Sequence, residues 1–115
     1  MTARGAVENV FRTISHPTRR ALLDRLAHEG EQPVHRLGEP FDVSQPALSQ
    51  HLRVLREAGL VEARREGRER VYRLTPGPLR EVAAWLEPYA RFWRDRLEAL
   101  GDHLDQEADE EVRDG

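Results

Sequence analysis

Five polar side chains on one short stretch of the chain have the types and the spacing needed to read the edges of DNA bases. They are Gln45, Ser49, Gln50, Arg53 and Arg56. Glutamine can pair with adenine through two hydrogen bonds, arginine can do the same with guanine, and serine can bond to several base edges. The short side chains of Ala47 and Ser49 would let the backbone approach the bases closely. The alternative is an ordinary solvated amphipathic helix.

The helix that must carry these side chains has ends and a buried face that the sequence predicts. Ser44 suits an N-cap residue, and Gly59 suits the left-handed residue that closes a helix, with Leu60 folding back on the last turn. The apolar stripe consists of Leu48, Leu52 and Leu55. We expect His51 either to pack at the edge of this helix or to touch a phosphate. The predicted DNA contacts of the helix are Ser44, Gln45, Ala47, Ser49, Gln50, His51, Arg53 and Arg56.

An arginine-rich segment follows this helix directly. From Leu60 to Leu74 the apolar period changes from helical to alternating, with a break at residues 66–69, which predicts a β-hairpin. Its arginines suit phosphate or minor-groove contacts. Glutamates in the same segment could instead neutralise them and leave a solvated charged face. The predicted DNA contacts of the hairpin are Arg64, Arg65, Arg68 and Arg70.

Two further helices are predicted upstream. One runs from Pro17 to Glu29 and is closed by Gly30. Its inner side is expected to hold Ala21, Leu22, Leu26 and Ala27. Arg19 and Arg20 oppose the helix dipole in its first turn, so either a DNA phosphate lies near them, with Arg19 as the contact, or they are solvated. A short helix within Val34–Phe41 and a compact turn then complete a helix-turn-helix.

Both ends of the chain carry apolar stripes that suggest a dimer. The first helix has a single stripe, which could be core or could pack on a partner chain. A long helix from about Leu79 to His103 contains both tryptophans, and we expect Pro88 to kink it near Ala84 or to break it. Aromatic residues are typical of interface cores. The predicted dimer interface consists of Val7, Val10, Phe11, Ile14, Leu86, Tyr89, Trp93, Leu97 and Leu100.

Length and charge favour one basic domain with an acidic tail. The chain has 115 residues and a net charge of −3, but residues 101–115 alone carry seven acids against one arginine. We predict a domain over 1–103 and a disordered tail over 104–115. The absence of cysteine excludes disulfides and thiolate metal sites. Neither a signal peptide nor a membrane span is evident, so a cytoplasmic location is expected.

An enzyme is the first alternative, and the sequence gives it little support. Five histidines are scattered along the chain, and no nucleophile elbow, phosphate loop or carboxylate pair accompanies them. The acidic tail gathers possible metal ligands at Asp102, His103, Asp105 and Glu107. A metal site needs such ligands on one face, and we interpret these four residues as a solvated helix end. No catalytic residue, metal site or cofactor is therefore predicted.

The pattern Ser44-Gln45-x-x-x-Ser49-x-His51-Leu52-x-x-Leu55-x-x-Ala58-Gly59-Leu60-Val61, followed by a hairpin ending in Tyr72-Arg73-Leu74, resembles the ArsR/SmtB family of bacterial transcriptional repressors. Residues 17–20, Pro-Thr-Arg-Arg, resemble that family's second-helix opening, and the likeness covers roughly residues 6–103. The resemblance implies a mainly α (α+β) winged helix-turn-helix, with about five helices and a two-stranded β-hairpin wing, that pairs as a homodimer through its first and last helices.

The resemblance also implies a repressor that occupies a double-stranded DNA operator. The chain departs from many relatives because residues 34–38, where those proteins carry a metal-sensing cysteine pair, contain none. It therefore resembles a branch that does not sense metal, and any small-molecule or protein effector is unspecified. A winged helix kept for protein–protein contacts without DNA binding is the second alternative, since a fold does not fix a function.

Overall fold

Helices and short strands alternate along the chain in the order expected for a winged helix. The structure is a computed structural model that describes the backbone of residues 3–114 and the side chains of residues 5, 7 and 8–108. The elements in order are α1 (Ala3–Ile14), α2 (Pro17–Glu29), β1 (Gln32–Pro33), α3 (Val34–Gly38), α4 (Gln45–Glu57), β2 (Val61–Glu66), β3 (Glu69–Leu74) and α5 (Leu79–Asp114).

Both predicted ends of α4 are confirmed. The Ser44 hydroxyl oxygen accepts a hydrogen bond from the Ala47 N–H at 3.2 Å, as an N-cap residue does. Gly59 has φ +77°, and the N–H of Leu60 donates to the Leu55 carbonyl at 3.0 Å. The Gly59 N–H donates to the Arg56 carbonyl at 3.0 Å, which completes a Schellman ending. The helix that carries the predicted contacts thus has fixed limits.

The wing is larger than the sequence predicts. The predicted two-stranded β2–β3 hairpin is confirmed, with a turn at residues 67–68, and β1 adds a third strand in the antiparallel order β1-β3-β2. Gln32 pairs with Tyr72, and Pro33 pairs with Val71. A strand of two residues that includes a proline is too short to show an alternating pattern, which explains why the sequence did not reveal it.

Two hydrogen bonds close the base of the hairpin onto the end of α4. The N–H of Thr75 donates to the Leu60 carbonyl at 2.8 Å. The Thr75 hydroxyl donates to the Gly59 carbonyl at 2.7 Å. The residues that terminate α4 therefore also anchor both strands of the wing.

A core of leucines joins α2, α3 and α4 to the sheet. Leu48, Leu52 and Leu55 are buried as predicted. On α2 the prediction for Ala27 was wrong, because Ala27 is exposed and Leu23 is buried in its place; the buried stripe is centred one residue earlier. A Cβ on Gly38 would overlap the Leu48 side chain, so a larger residue at this position would force the buried Leu48 side chain to shift. The core residues are Val10, Leu22, Leu23, Leu26, Leu37, Leu48, Leu52, Leu55, Leu60, Val61, Tyr72 and Val82.

The chain divides into a compact unit that ends at Val82 and a second unit that begins at Ala83. The second unit consists of the continuation of α5, which runs through Pro88 without a break and extends to Asp114. The helix therefore continues through residues 104–114, where disorder was expected. Residues 102–113 contain neither glycine nor proline, which favours a helix. His103 also pairs with Glu107 one turn later at 3.0 Å, which favours a helix as well. The domain limit at residue 103 stays a prediction.

Candidate nucleic-acid interface

The two faces of α4 differ as the sequence predicts. The three leucines of the stripe are at most 3% exposed. The outer face is polar, and its exposed residues are Ser44, Gln45, Ser49, Gln50, Arg53 and Arg56, with Ala47 and His51 partly exposed. Exposed polar groups on a helix anchored through its other face are free to meet a ligand. This arrangement is the one that base recognition in a major groove requires.

Helix α4 and the wing border one depression with a volume of about 430 Å³. Helix α4 contributes Gln45, Ser49, Arg53 and Arg56 to its lining, and Arg70 on β3 contributes a further guanidinium. These five polar residues come from segments separated in sequence, and the structure brings them to the same side of the first unit. The lining also includes Val34, Leu52 and Tyr72.

The arginines of the wing fall on two faces of the hairpin. Arg65 is directly opposite Arg70 in the strand register, and Ala63 is opposite Tyr72, so these four residues share one face. The other face carries Arg64, since side chains alternate along a strand. Arg68, at the exposed turn, belongs to neither row.

Arg64 does not offer a free guanidinium, in contrast to its predicted role. Its two terminal nitrogens donate to the Glu31 carboxylate at 2.8 and 2.6 Å, and a third contact reaches Glu66 at 3.4 Å. Hydrogen bonding from Arg64 lowers the pKa of the Glu31 carboxyl group. On the same face Arg73 pairs with Glu62 at 2.6 Å. On this face of the wing, glutamates therefore neutralise the arginines, which was the alternative to a DNA contact.

Arg19 has a structural role that the sequence reasoning missed. Its Nε donates to the Thr13 carbonyl at 2.7 Å, and its Nη2 lies 3.4 Å from the Arg12 carbonyl. Arg20 donates to the Ile14 and Ser15 carbonyls at 2.7 and 3.0 Å. The last carbonyls of a helix lack partners within the helix and favour nearby positive charge. The pair therefore caps α1, which corrects the purely solvated interpretation and gives the two charges a structural reason that needs no phosphate.

His51 packs at the edge of α4, which was one of its two expected positions. Its ring centroid is 4.4 Å from that of His16, and its Nδ1 is 3.5 Å from Nη1 of Arg19. Partial burial lowers the pKa of His51, and the nearby His16 and Arg19 lower it further. His16 caps α2, because its Nδ1 accepts from the Thr18 N–H at 3.1 Å. This histidine pair thus joins the start of α2 to α4.

Arg53 forms an ion pair with Glu57 one turn later, at 3.1 Å. Both side chains are more than half exposed, and an exposed pair of this kind contributes little to stability. The guanidinium can therefore exchange Glu57 for another acceptor at small cost.

The predicted dimer residues differ in exposure. Val10 is only 3% exposed because it belongs to the core of its own chain, so its assignment to an interface was wrong. Phe11 and Ile14 are partly buried and pack against the same core, and Val7 is also partly buried. On α5, by contrast, Trp93 is 62% and Leu97 is 63% exposed. The exposed set on α5 also contains Leu86, Tyr89 and Leu100.

The described residues contain no group of three or more possible metal ligands. Near the C-terminus, the contact found within the predicted set Asp102, His103, Asp105 and Glu107 is the His103–Glu107 pair. No helix within residues 3–114 is long and apolar enough to cross a membrane.

The helix-turn-helix of α3 and α4 and the hairpin beside it define a winged helix-turn-helix. A family model described as a helix-turn-helix domain matches residues 14–64. The HTH-type transcriptional regulator Rv2034 of Mycobacterium tuberculosis is 37% identical over 110 residues, which cover 96% of this chain and 99% of that protein. The transcriptional repressor SdpR of Bacillus subtilis is 35% identical over 80 residues, which cover 70% of this chain and 88% of that protein.

A crystal structure of an ArsR family transcriptional regulator superposes with a TM-score of 0.70 and 31% identity, covering 79% of this chain and 93% of that one. The chain belongs to the ArsR/SmtB family of winged helix-turn-helix regulators, and it is a DNA-binding transcriptional regulator. The family is made up of transcriptional regulators rather than enzymes.

Proposed function

We propose that the protein is a homodimeric repressor that occupies a specific DNA operator. The depression between α4 and β3 carries this proposal, because it presents the polar face of α4 and Arg70 together. Helix α4 would enter the major groove, and the wing would lie along the flanking backbone. We assign base reading to Gln45, Ser49, Gln50 and Arg53, and backbone contacts to Arg65, Arg68 and Arg70.

The proposed dimer uses the exposed apolar surface of α5. The exposed large apolar side chains of the described residues all lie on this helix, whereas the outer face of α4 is polar. A second copy is the natural occupant because an isologous pair buries the same surface on both chains. A dimer would place two α4 helices in half-sites about 34–36 Å apart along the DNA.

The polar outer face of α4 argues against a winged helix that binds another protein in place of DNA. A protein-binding groove would expose apolar residues beside α4. We expect the protein to act in the cytoplasm and to have no catalytic activity of its own. An effector, small molecule or protein, would set when the operator is released.

Selection of genomic fragments that the purified full-length protein retains tests the proposal. Gel shifts with the recovered fragment and with random DNA, across a salt series, then measure specificity and electrostatic dependence. We expect enrichment of a sequence with two related half-sites and an affinity that falls steeply with salt. Recovery no better than random, or binding that is insensitive to salt, would reject the function.

A further inference from the structure

Two arginines of the wing face each other without an acidic partner. Arg65 and Arg70 occupy opposite positions in the antiparallel register, where side chains on one face begin about 4.5–5.5 Å apart. Like charges in this arrangement repel and destabilise the hairpin. On the other face each arginine has an acidic partner: Arg64 pairs with Glu31 and Glu66, and Arg73 pairs with Glu62. The repulsion is therefore confined to one face.

A third arginine approaches this pair from α4. Arg56 lines, with Arg65 and Arg70, a small depression of about 220 Å³, which Ala63 and Arg64 complete. We call Arg56, Arg65 and Arg70 the arginine triad. All three are exposed, so their guanidinium groups can reach a ligand in the depression.

The arginine triad has no counter-charge within the described part of the chain. Arg53, Arg64 and Arg73, which lie nearby in sequence, each form an ion pair with a glutamate. No salt bridge with a described acidic residue involves a member of the triad. The depression thus has four arginines and no acidic residue in its lining, and three of the four guanidinium groups, all but that of Arg64, are unpaired among the described residues.

We propose that the arginine triad is a binding site for a single phosphate group, which is a phosphodiester of the DNA backbone beside the bases that α4 reads. The proposal rests on the proposed DNA binding and deepens it. Guanidinium groups bind phosphate oxygens through paired, charge-assisted hydrogen bonds. A phosphate supplies the missing anion and relieves the repulsion between Arg65 and Arg70. Arg56 is then a phosphate contact and does not read a base, which changes the role first predicted for it.

DNA affinity tests the source of the phosphate. Arg56→Ala, Arg65→Ala and Arg70→Ala should each lower affinity about tenfold for the selected fragment and for random DNA alike. The slope of log affinity against log salt should become shallower by up to about 0.9. Arg73→Ala is the matched control because it removes the same charge from the same hairpin but from a residue paired with Glu62. Its effect should be much smaller.

Neutral phosphate analogues locate the contact. A single methylphosphonate at the correct position of the selected fragment should weaken wild-type binding as much as Arg65→Ala does. The affinity of the Arg65→Ala variant should fall no further when the duplex carries this methylphosphonate, because the two changes remove the same interaction. Additive losses at every tested position would overturn the assignment to a backbone phosphate.

Thermal unfolding separates this site from a merely structural role and from DNA binding itself. In chloride, Arg65→Ala should not lower the midpoint temperature of unfolding, since the change removes a like-charge contact. A clear fall in this temperature would overturn the proposal. Inorganic phosphate, compared with chloride at equal ionic strength, should raise the midpoint of wild type and Arg73→Ala more than that of Arg65→Ala or Arg70→Ala.

The two measurements distinguish the possible failures. If wild type binds no DNA but phosphate raises its midpoint through the arginine triad, the proposed function fails and the ligand is a free phosphorylated anion. If DNA binds and neither DNA affinity nor the phosphate response depends on the triad, the proposed function stands and the phosphate site is rejected.

Discussion

Nη1 of Arg19 on α2 lies 3.5 Å from Nδ1 of His51 on α4, while Nε of the same guanidinium donates to the Thr13 carbonyl at the end of α1. One side chain of α2 therefore contacts two other helices, α1 and α4. The Arg19 guanidinium therefore caps α1 and also contacts α4, the helix that carries the predicted base contacts. Arg19 thus links α1 to the helix to which we assign base reading.

We predict that Arg19→Ala destabilises the protein without removing a phosphate contact. Loss of charge-assisted hydrogen bonds to the carbonyls of α1 should lower the free energy of unfolding by about 1–3 kcal/mol, measured by urea denaturation. Arg36→Ala, which removes another exposed guanidinium, should stay within about 0.5 kcal/mol of wild type. A shallower salt slope of DNA binding in Arg19→Ala would show that this residue does hold a phosphate.

We predict that stability falls as the pH falls below about 6.5, the ordinary pKa of histidine. The folded state lowers the pKa of His51 through burial and through His16 and Arg19. The unfolded chain therefore binds the proton more readily, and the contribution from neutral His51 is present above pH 6.5 and is lost below it.

Denaturation curves between pH 7.5 and 5 should show this decline in wild type and a smaller decline in His51→Gln. His28→Gln is the comparison, since His28 is exposed and its Nδ1 contacts the Asp24 carbonyl of its own helix. An identical pH dependence in wild type and His51→Gln would contradict the prediction.

We predict that Gln50→Ala and Arg53→Ala reduce specificity. If these side chains read bases, each change should weaken binding to the selected fragment by about 1–3 kcal/mol more than binding to random DNA. Gel shifts with both duplexes at one salt concentration measure the difference. Equal losses on the two duplexes would reassign these residues to the backbone.

We predict that Trp93→Glu and Leu97→Glu give monomers. Each change places a charge in the apolar surface of α5 that the proposed dimer buries, and an unpaired charge in such a surface is costly. Sedimentation equilibrium measures the mass. Asp95→Asn, which lies on the opposite side of an ideal helix from Trp93, should remain dimeric. An unchanged mass for both glutamate variants would move the interface elsewhere.

The sequence predicted the parts of the fold that short-range patterns determine. The caps of α4 depend on Ser44 and Gly59, and the buried stripe depends on the spacing of three leucines, so each could be inferred locally. The pairing of Arg64 with Glu31 could not, because 33 residues separate the partners. Alternation alone places Arg64 and Arg65 on different faces, but only the folded chain shows which face holds the acids.

The capping role of Arg19 was missed for a related reason. A positive charge in the first turn of a helix is unfavourable for that helix, and the compensating carbonyls belong to the preceding one. The exposed apolar side chains of α5 lie in the stripe that the sequence predicted, and their role in a dimer stays a prediction. The corresponding assignment of Val10 failed because a stripe on α1 could pack equally well on its own chain.

The hydrogen bonds of Thr75 to Gly59 and Leu60 fasten the base of the wing to the end of α4. The Arg64–Glu31 pair holds the wing to the segment before β1 as well, so we expect α4 and the hairpin to move together. In the proposed dimer, a signal that releases DNA must therefore change the spacing or tilt of two such units across the symmetry axis. The structural change that regulates DNA binding then occurs at the contact between the two chains, away from the surface that contacts DNA.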